Sequence, residues 1–443
     1  MTEGNICKKI IMFCFPLILG NLFQYLYSTF DLIIVGRAVG ETALAAVGVS
    51  DPIIAMMNGL YAGTAGGVGV VISQAYGARD EALMKKAVHT SMFIGICFGI
   101  VLQVLLMAMT PLMLEWIQTP EDTMAQAITY LRTYSAGLMI TLVFKMLSGI
   151  INAIGNSNIT LRYLGIASVM NIILDLIFVI PLQWGVFGAA FATVLSQAFA
   201  CVCALRYLIY CPEKMCRLSL RSIKPDMPVL REILRIGIPT VVQNMVRCLA
   251  NIFLQVGVNS FGSMAAAGYV IALKIEGVIW LPLLSMNVAA STFVGQNVGA
   301  QKYDRASKGM WAATGLVSAF TLVASIAIVV FSEPIAYFFS DSADVVGFGV
   351  EAIKVYIPLY FIFAGYNALA GGITGAGRTM QVLVISLGAF CALRIVLVVA
   401  VMKLQASFAA LMAIFPISWG VALLAILIYI WRADWLGSKD EMK

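Results

Sequence analysis

Hydrophobic positions in this chain run in long, nearly unbroken stretches. They lie at about 10–35, 46–72, 87–110, 125–151, 160–182, 187–210, 233–259, 265–293, 308–331, 350–374, 380–402 and 406–431. Each matches or exceeds the roughly 20 apolar residues that a helix needs to cross a bilayer core. No period-2 alternation runs through them. Inside lipid every backbone amide must pair within its own segment, so twelve spanning helices are predicted. The first stretch is too long for the apolar core of a cleaved signal and is expected to be the first span. The longest connection, 211–232, is charged and carries Pro212, Pro225 and Pro228. It reads as a cytoplasmic linker between an N-terminal bundle, 1–210, and a C-terminal bundle, 233–443.

The two bundles repeat. Gln74-Ala-Tyr-Gly77-Ala78 matches Gln296-Asn-Val-Gly299-Ala300, and Ile151-Asn-Ala-Ile-Gly155 matches Ile373-Thr-Gly-Ala-Gly377, both at an offset of 222. Pro16 pairs with Pro239 at 223, and Ala45–Gly48 with Ala265–Gly268 at 220. Six spans per half is an even number, so both halves enter from the same side and the repeat is parallel. The expected fold is an all-α polytopic membrane protein of two pseudosymmetric six-helix bundles. Such bundles suit alternating access, with substrate and ion sites near the bilayer midplane.

Composition supports this reading. Of 443 residues, 61% are hydrophobic and 11% charged, against about 45–50% and 25% in soluble domains. Soluble enzymes, DNA-binding proteins and secreted disulfide scaffolds are excluded. The net charge of +6 has a membrane explanation: with the N-terminus inside, 20 of 28 Lys and Arg fall on the inner side and only Arg37 and Lys403 in outer loops. Both termini are therefore expected in the cytoplasm. Six of the nine cysteines lie within apolar stretches. Cys211 and Cys216 lie in the basic linker, where a reducing compartment disfavours a disulfide. His89 is the only histidine, so no His-rich metal site can form.

A charge at the bilayer centre costs about 2.5–3.5 kcal/mol on insertion scales and tends to mark an ion or substrate path. The candidates are Asp31, Lys145, Asp175, Arg247, Lys274, Glu276 and Arg394. Asn21, Gln24, Ser28 and Asp31 are spaced 3, 4 and 3, which places them on one helical face. Ser168, Asn171 and Asp175 form a second stripe, and Thr193, Ser196 and Gln197 a third. In the second half Asn244, Arg247, Asn251 and Gln255 form a stripe without an acid. Two carboxylates in a partly dry bundle suit ion coupling, because loss of water penalises the charged form. Either could take a proton, or the pair could hold Na⁺ with neighbouring amide and hydroxyl oxygens. Gly59, Gly63, Gly66, Gly67 and Gly69 read as close helix packing rather than a phosphate loop. No strand precedes them and Gly-Lys is absent from the chain. ATP is not expected, nor is any cofactor. A membrane enzyme would need a convergent nucleophile, base or metal set, so the chain is not read as an enzyme.

These motifs together resemble the multidrug and toxic compound extrusion (MATE) family along the whole chain. The matching pieces are Asp31-Leu-Ile-Ile-Val-Gly36, Ala43-Leu-Ala-Ala-Val-Gly48, Pro52, Gln74–Arg79, Asn171-Ile-Ile-Leu-Asp175, Gly185–Thr193 and Val294–Ala300. The resemblance is to the branch named after the DNA-damage-inducible members. It implies a secondary antiporter that exports organic, cationic compounds in exchange for H⁺ or Na⁺. It implies an ion-coupling cluster of Asp31, Asn171, Asp175 and Thr193, with no metal beyond Na⁺ at Asp31 and Asp175. A small organic substrate, the lipid bilayer, a monomer and no nucleic acid are expected, in a prokaryotic cytoplasmic membrane. The substrate cavity is expected to use Gln24, Ser28, Asn244, Arg247, Asn251, Glu276 and Asn367. The other branch places its cation site on acids of the seventh and tenth spans, which this chain lacks. Lys145, the repeat counterpart of Asn367, is read as a tethered cation for Asp31 or Asp175, favouring H⁺ over Na⁺. A flippase for lipid-linked precursors is the competing transporter reading, supported by Arg247, Lys274 and Arg394.

Overall fold

The computed structural model describes residues 1–405 and 407–436. Lys439 and Lys443, counted above with the inner-side charge, lie outside them, as does Ala406 at the start of the twelfth predicted span. The described residues are helical, without a strand. The first half contains α1 (Ile6–Ala38), α2 (Glu41–Ala78), α3 (Glu81–Trp116), α4 (Glu121–Ala136), α5 (Leu138–Ala153), α6 (Ser157–Val179) and α7 (Gly185–Ile209). The second contains α8 (Met227–Asn259), α9 (Ser263–Gly299), α10 (Tyr303–Val330), α11 (Ser332–Phe339), α12 (Ala343–Tyr356), α13 (Tyr360–Gly375), α14 (Thr379–Ser386), α15 (Leu393–Lys403), α16 (Phe408–Met412) and α17 (Ile414–Arg432). Eleven segments are long and apolar enough to span a membrane, and α4 with α5 makes a twelfth. Large aliphatic residues such as Val104, Val323 and Val330 stay exposed on the helices, as lipid-facing positions should.

The fourth span is not the single straight helix that its apolar run predicts. It bends by 46° at Gly137, between α4 and α5. There the Gly137 amide reaches back only to Tyr134 O (3.1 Å), and a β-carbon would meet Val194 Cγ2 at 2.6 Å. The counterpart span, Ala343–Gly375, is not bent in this way but tightens at the same place in the repeat into the 3₁₀ turn Ile357–Leu359 that contains Pro358. Proline removes a backbone donor there; glycine permits the close approach here. The eleventh span carries a π-helical segment, Leu387–Ala392, immediately before α15.

By contact, Phe15–Gly237 form one compact unit, and Met1–Cys14 with the described residues from Ile238 onward form the other. In the first, α5 packs on α2, α3 and α7, and α6 lies along α7. In the second, α13 packs on α9, α10 and α17. The duplication is visible in the backbone itself. Left-handed residues pair at an offset of 222: Gly40 with Gly262, Arg79 with Gln301, Gly155 with Gly377, and Gln183 with Gln405. These caps fix the register at both ends of α2 and α9. The Ala45–Gly48 match to Ala265–Gly268 is therefore two residues out of register.

The segment 211–232 is pinned to the first unit. His89 Nε2 accepts from the Ser219 amide (3.2 Å) and Thr90 Oγ1 from the Asp226 amide (3.0 Å). Lys86 pairs with Asp226 at 3.0 Å and holds that carboxyl below its ordinary range. Cys211, Cys216 and Leu218 join the apolar core. Burial pushes the Cys216 thiol up to about 12.

Two predictions follow from this packing. A β-carbon at Gly67 would meet Ile233 O at 2.6 Å and Gly237 N at 2.9 Å, whereas one at Gly69 would meet nothing within 4 Å. Gly67→Ala should lower stability by about 1–3 kcal/mol, and Gly69→Ala should leave it unchanged or raise it by up to about 1 kcal/mol. Thermal unfolding in detergent compares them, and equal melting points would contradict the packing. Burial keeps the Cys216 thiol protonated and out of reach of reagents. Maleimide labelling read by mass spectrometry should leave Cys216 unmodified until the protein is unfolded; labelling at a free thiol's rate would refute its burial.

Candidate functional site

Three helices of the first unit bring the acidic stripes together. The spacing of α1 puts Asp31 on its inner face, and α6 does the same for Asn171 and Asp175. All three side chains are buried, with Asp175 fully so. Thr193, on α7, is buried beside them, and Asn171 Nδ2 donates to its Oγ1 at 3.3 Å. Asp31 and Asp175 lie within electrostatic range of each other. Tyr130, from α4, directs its hydroxyl at Asp31 Oδ2 over 3.5 Å, a long contact. Tyr27, on α1, lies within reach of the Gln24 and Gln197 amides and within electrostatic range of both carboxylates. Asp51, on α2, lies within electrostatic range of Asp31.

The chemistry of this cluster is set by what its oxygens lack. Asp31 Oδ1, Asn171 Oδ1, both carboxylate oxygens of Asp175 and Gln197 Oε1 are buried without a hydrogen-bond partner among the described residues. All five are acceptors. An unsatisfied buried polar group costs about 1–3 kcal/mol. Five together would cost as much as the roughly 5–15 kcal/mol of net stability of a whole domain. Positive charge or donated hydrogen completes such a cluster; a second anion or an apolar group does not. Among the described residues no three or more His, Cys, Asp or Glu converge as a metal-binding group.

Lys145, on α5, makes no ion pair within 4.0 Å with either carboxylate among the described residues, where the ion pairs are Glu81–Lys85, Lys86–Asp226, Glu232–Arg235 and Glu333–Lys354. Gln24 is half-buried and Ser28 exposed on α1.

The second unit holds a cavity of about 140 Å³, lined by Arg247 and Asn251 of α8, Glu276 and Trp280 of α9, Arg394 of α15 and several aromatic rings. Asn244 and Asn367 are not among its lining residues. Asn367 is buried, and its backbone carbonyl accepts from Asn287 Nδ2 at 2.7 Å. Lys274 is exposed on α9. Glu276 accepts from Tyr356 (3.3 Å) and Tyr360 (3.0 Å), one hydroxyl to each carboxylate oxygen. Those two tyrosines flank the 3₁₀ turn at Pro358, and both meet the one acid.

The two arginines of the cavity are held very differently. Arg394 donates from Nε to Ser418 Oγ (2.9 Å) and from Nη1 to Asn251 Oδ1 (3.3 Å). It also stacks on Phe390 at 5.2 Å and Phe415 at 4.9 Å. Hydrogen bonds to a charged group contribute about 1.5–3 kcal/mol each, and a desolvated cation–π contact about 2. Together these offset the roughly 2.5–3.5 kcal/mol of placing arginine in the membrane. Arg247 has one ring contact, with Trp280 at 5.3 Å, and its buried Nε has no partner among the described residues. Its placement is not offset within the protein.

Sequence reasoning found the acids and arginines but missed Tyr27, Tyr130, Tyr356 and Tyr360. The i,i+4 pair Tyr356 and Tyr360 around a proline was a usable signal. Tyr130 carried none, since it meets Asp31 across 99 positions of chain.

The stripes of α1 and α8 also align with each other at the 223 offset of Pro16 and Pro239. Asn21 falls on Asn244, Gln24 on Arg247, Ser28 on Asn251 and Asp31 on Leu254. One stripe keeps an acid; its copy has lost the acid and gained a base.

Comparison with known proteins agrees with this architecture. The chain is 29% identical over 397 residues to the probable multidrug resistance protein YpnP of Bacillus subtilis, covering 89% of this chain and 88% of the relative. Among solved structures, a MOP superfamily transporter from Pyrococcus furiosus, described as having a binding pocket of reverse polarity that suggests a different function, superposes with a TM-score of 0.92. It is 24% identical, with 99% of this chain and 98% of that one covered. An outward-facing multidrug resistance MATE family transporter superposes with a TM-score of 0.90 at 23% identity, over 99% and 98% of the two chains. The MatE family pattern matches twice, over residues 16–177 and 239–400, once in each half. The chain therefore belongs to the MatE family and is a multi-pass membrane transporter.

Proposed function

We propose that the protein is a secondary antiporter that exports organic compounds in exchange for H⁺, with Asp31 and Asp175 taking up and releasing the ion. The single observation that carries this reading is the set of five buried acceptor oxygens on Asp31, Asn171, Asp175 and Gln197. A proton turns one acceptor into a donor and so relieves two oxygens at once. Na⁺ is the second ion consistent with an all-oxygen cluster, but it needs a shell of ligands where a proton needs one oxygen. Taking up either ion changes the local charge by one unit inside a dry bundle. A change of that size biases a two-state equilibrium.

The exported compounds are drugs and toxic organic molecules, cationic ones among them. YpnP, named for multidrug resistance, supports that choice. The Lys and Arg bias supports an orientation with both termini in the cytoplasm, and the transporter works as a monomer in the cytoplasmic membrane without ATP.

Drug accumulation in cells expressing the wild type, Asp31→Asn or Asp175→Asn at equal levels tests the coupling site. Each variant should lose export, with accumulation rising to that of cells lacking the transporter. Full export by both variants would remove the assignment. Everted vesicles in Na⁺-free buffer, energised by a pH gradient alone, should still transport; transport that appears only when Na⁺ is added would replace H⁺ by Na⁺.

A further inference from the structure

We propose that the cavity of the C-terminal unit binds the anionic end of an organic molecule, a carboxylate carried on a flat apolar body. Arg247 and Arg394 both line it. The one carboxylate in its wall, Glu276, is engaged by the hydroxyls of Tyr356 and Tyr360 and forms no ion pair within 4.0 Å with either arginine among the described residues. The cavity wall therefore sets two guanidinium groups against one carboxylate. Arg247 brings a buried Nε without a partner among the described residues. Arg394 commits Nε and Nη1 to Ser418 and Asn251, and no hydrogen bond holds its Nη2 among the described residues. Guanidinium groups offer forked donors whose geometry matches a carboxylate.

The walls specify the rest of the ligand. Trp280 stacks on Phe363 at 5.8 Å, and Trp419 lies 5.4 Å from Phe363. Flat rings favour a flat guest by offset or edge-on contact. A cavity of about 140 Å³ is close to the roughly 150 Å³ of an engineered cavity that takes up benzene. It seats one ring-sized group, the end of a larger compound. A free inorganic anion has no use for aromatic walls. A lipid phosphate shares the anionic chemistry, so the test separates the two sources. The assignment rests on the export reading and adds to its cationic compounds a class that carries a carboxylate; binding, unlike export, is measured without turnover.

The test uses the full chain in phosphatidylcholine nanodiscs and isothermal titration with para-butylbenzoate and its uncharged twin para-butylbenzamide. The acid should bind the wild type about tenfold or more tightly than the amide, the ratio that one charge-assisted hydrogen bond supplies. Arg247→Gln should bring the acid-to-amide ratio down to about one. Arg247 makes no hydrogen bond to the described residues, so the variant should fold, and its melting point checks this. If it does not fold, the acid-to-amide ratio of the wild type alone decides. Asp175→Asn should keep the wild-type acid-to-amide ratio even where it no longer exports, since both compounds meet the same cavity, which separates failure of this proposal from failure of the coupling site. Equal affinity for acid and amide, no binding of the acid by the wild type, or an unchanged preference in folded Arg247→Gln would overturn the proposal. Adding phosphatidylglycerol to the disc should leave acid binding unaltered. Displacement of the acid by that lipid would assign the pocket to a lipid phosphate and overturn the organic-acid source.

Discussion

A polar group withdrawn from water inside a membrane must find its partner within the protein, and this requirement organises the whole chain. It forces the backbone into helices, whose amides pair internally. It also sorts the polar side chains into two kinds. Most hydroxyls return a hydrogen bond to their own helix one turn back, as Ser50, Ser91, Thr110 and Thr321 do. These are satisfied locally and carry no site. Among the described residues without a partner, five acceptors gather around Asp175 and one donor is the Arg247 Nε, while single atoms are left on Tyr61, Thr119, Gln126, Ser148, Asn297, Ser325 and Asn367. Where the protein leaves the requirement unmet in a group, a ligand of opposite character is the natural complement.

The duplicated framework frames the contrast between the acidic cluster and Arg247. Left-handed caps at matched positions show that both halves turn their chain at the same points. Both halves also depart from a regular α-helix at the middle of the fourth span of their repeat, one by a bend at Gly137 and the other by a 3₁₀ turn at Pro358. The chemical difference between the halves is carried by side chains on this shared backbone. Asp31 against Leu254, Gln24 against Arg247 and Ile54 against Glu276 are changes of this kind.

The helical spans, the repeat and the acidic pair were legible in the sequence because each is a local pattern. Apolar run length gives a span, recurrence at 222 gives the duplication, and spacing of three and four gives a helical face. The bend at Gly137 was not legible, because an apolar run looks the same whether or not a side chain from α7 crowds it. The tyrosines that meet Asp31 and Glu276 were equally hidden, since each contact joins segments far apart in the chain. The 220 match in α2 and α9 shows a further limit. Small residues recur so often in membrane helices that a four-residue match can slip two places, whereas the left-handed caps cannot.

If the ion is handled by acids of one unit and an anionic group by arginines of the other, the two cannot exchange by competing for one side chain. A ligand shifts a conformational equilibrium only by its differential affinity for the two states. Coupling must then run through that equilibrium, with protonation altering which state is favoured and the substrate favouring its own. Moving a population from 1:99 to 99:1 takes about 5.5 kcal/mol of such difference. One buried ionisation can supply a large share of that, because several kcal/mol of effective desolvation penalty attend each charge in a dry interior. A neutral hydroxyl in place of Asp175 could not, which is the physical reason to keep a carboxylate at a position where serine or asparagine would pack as well.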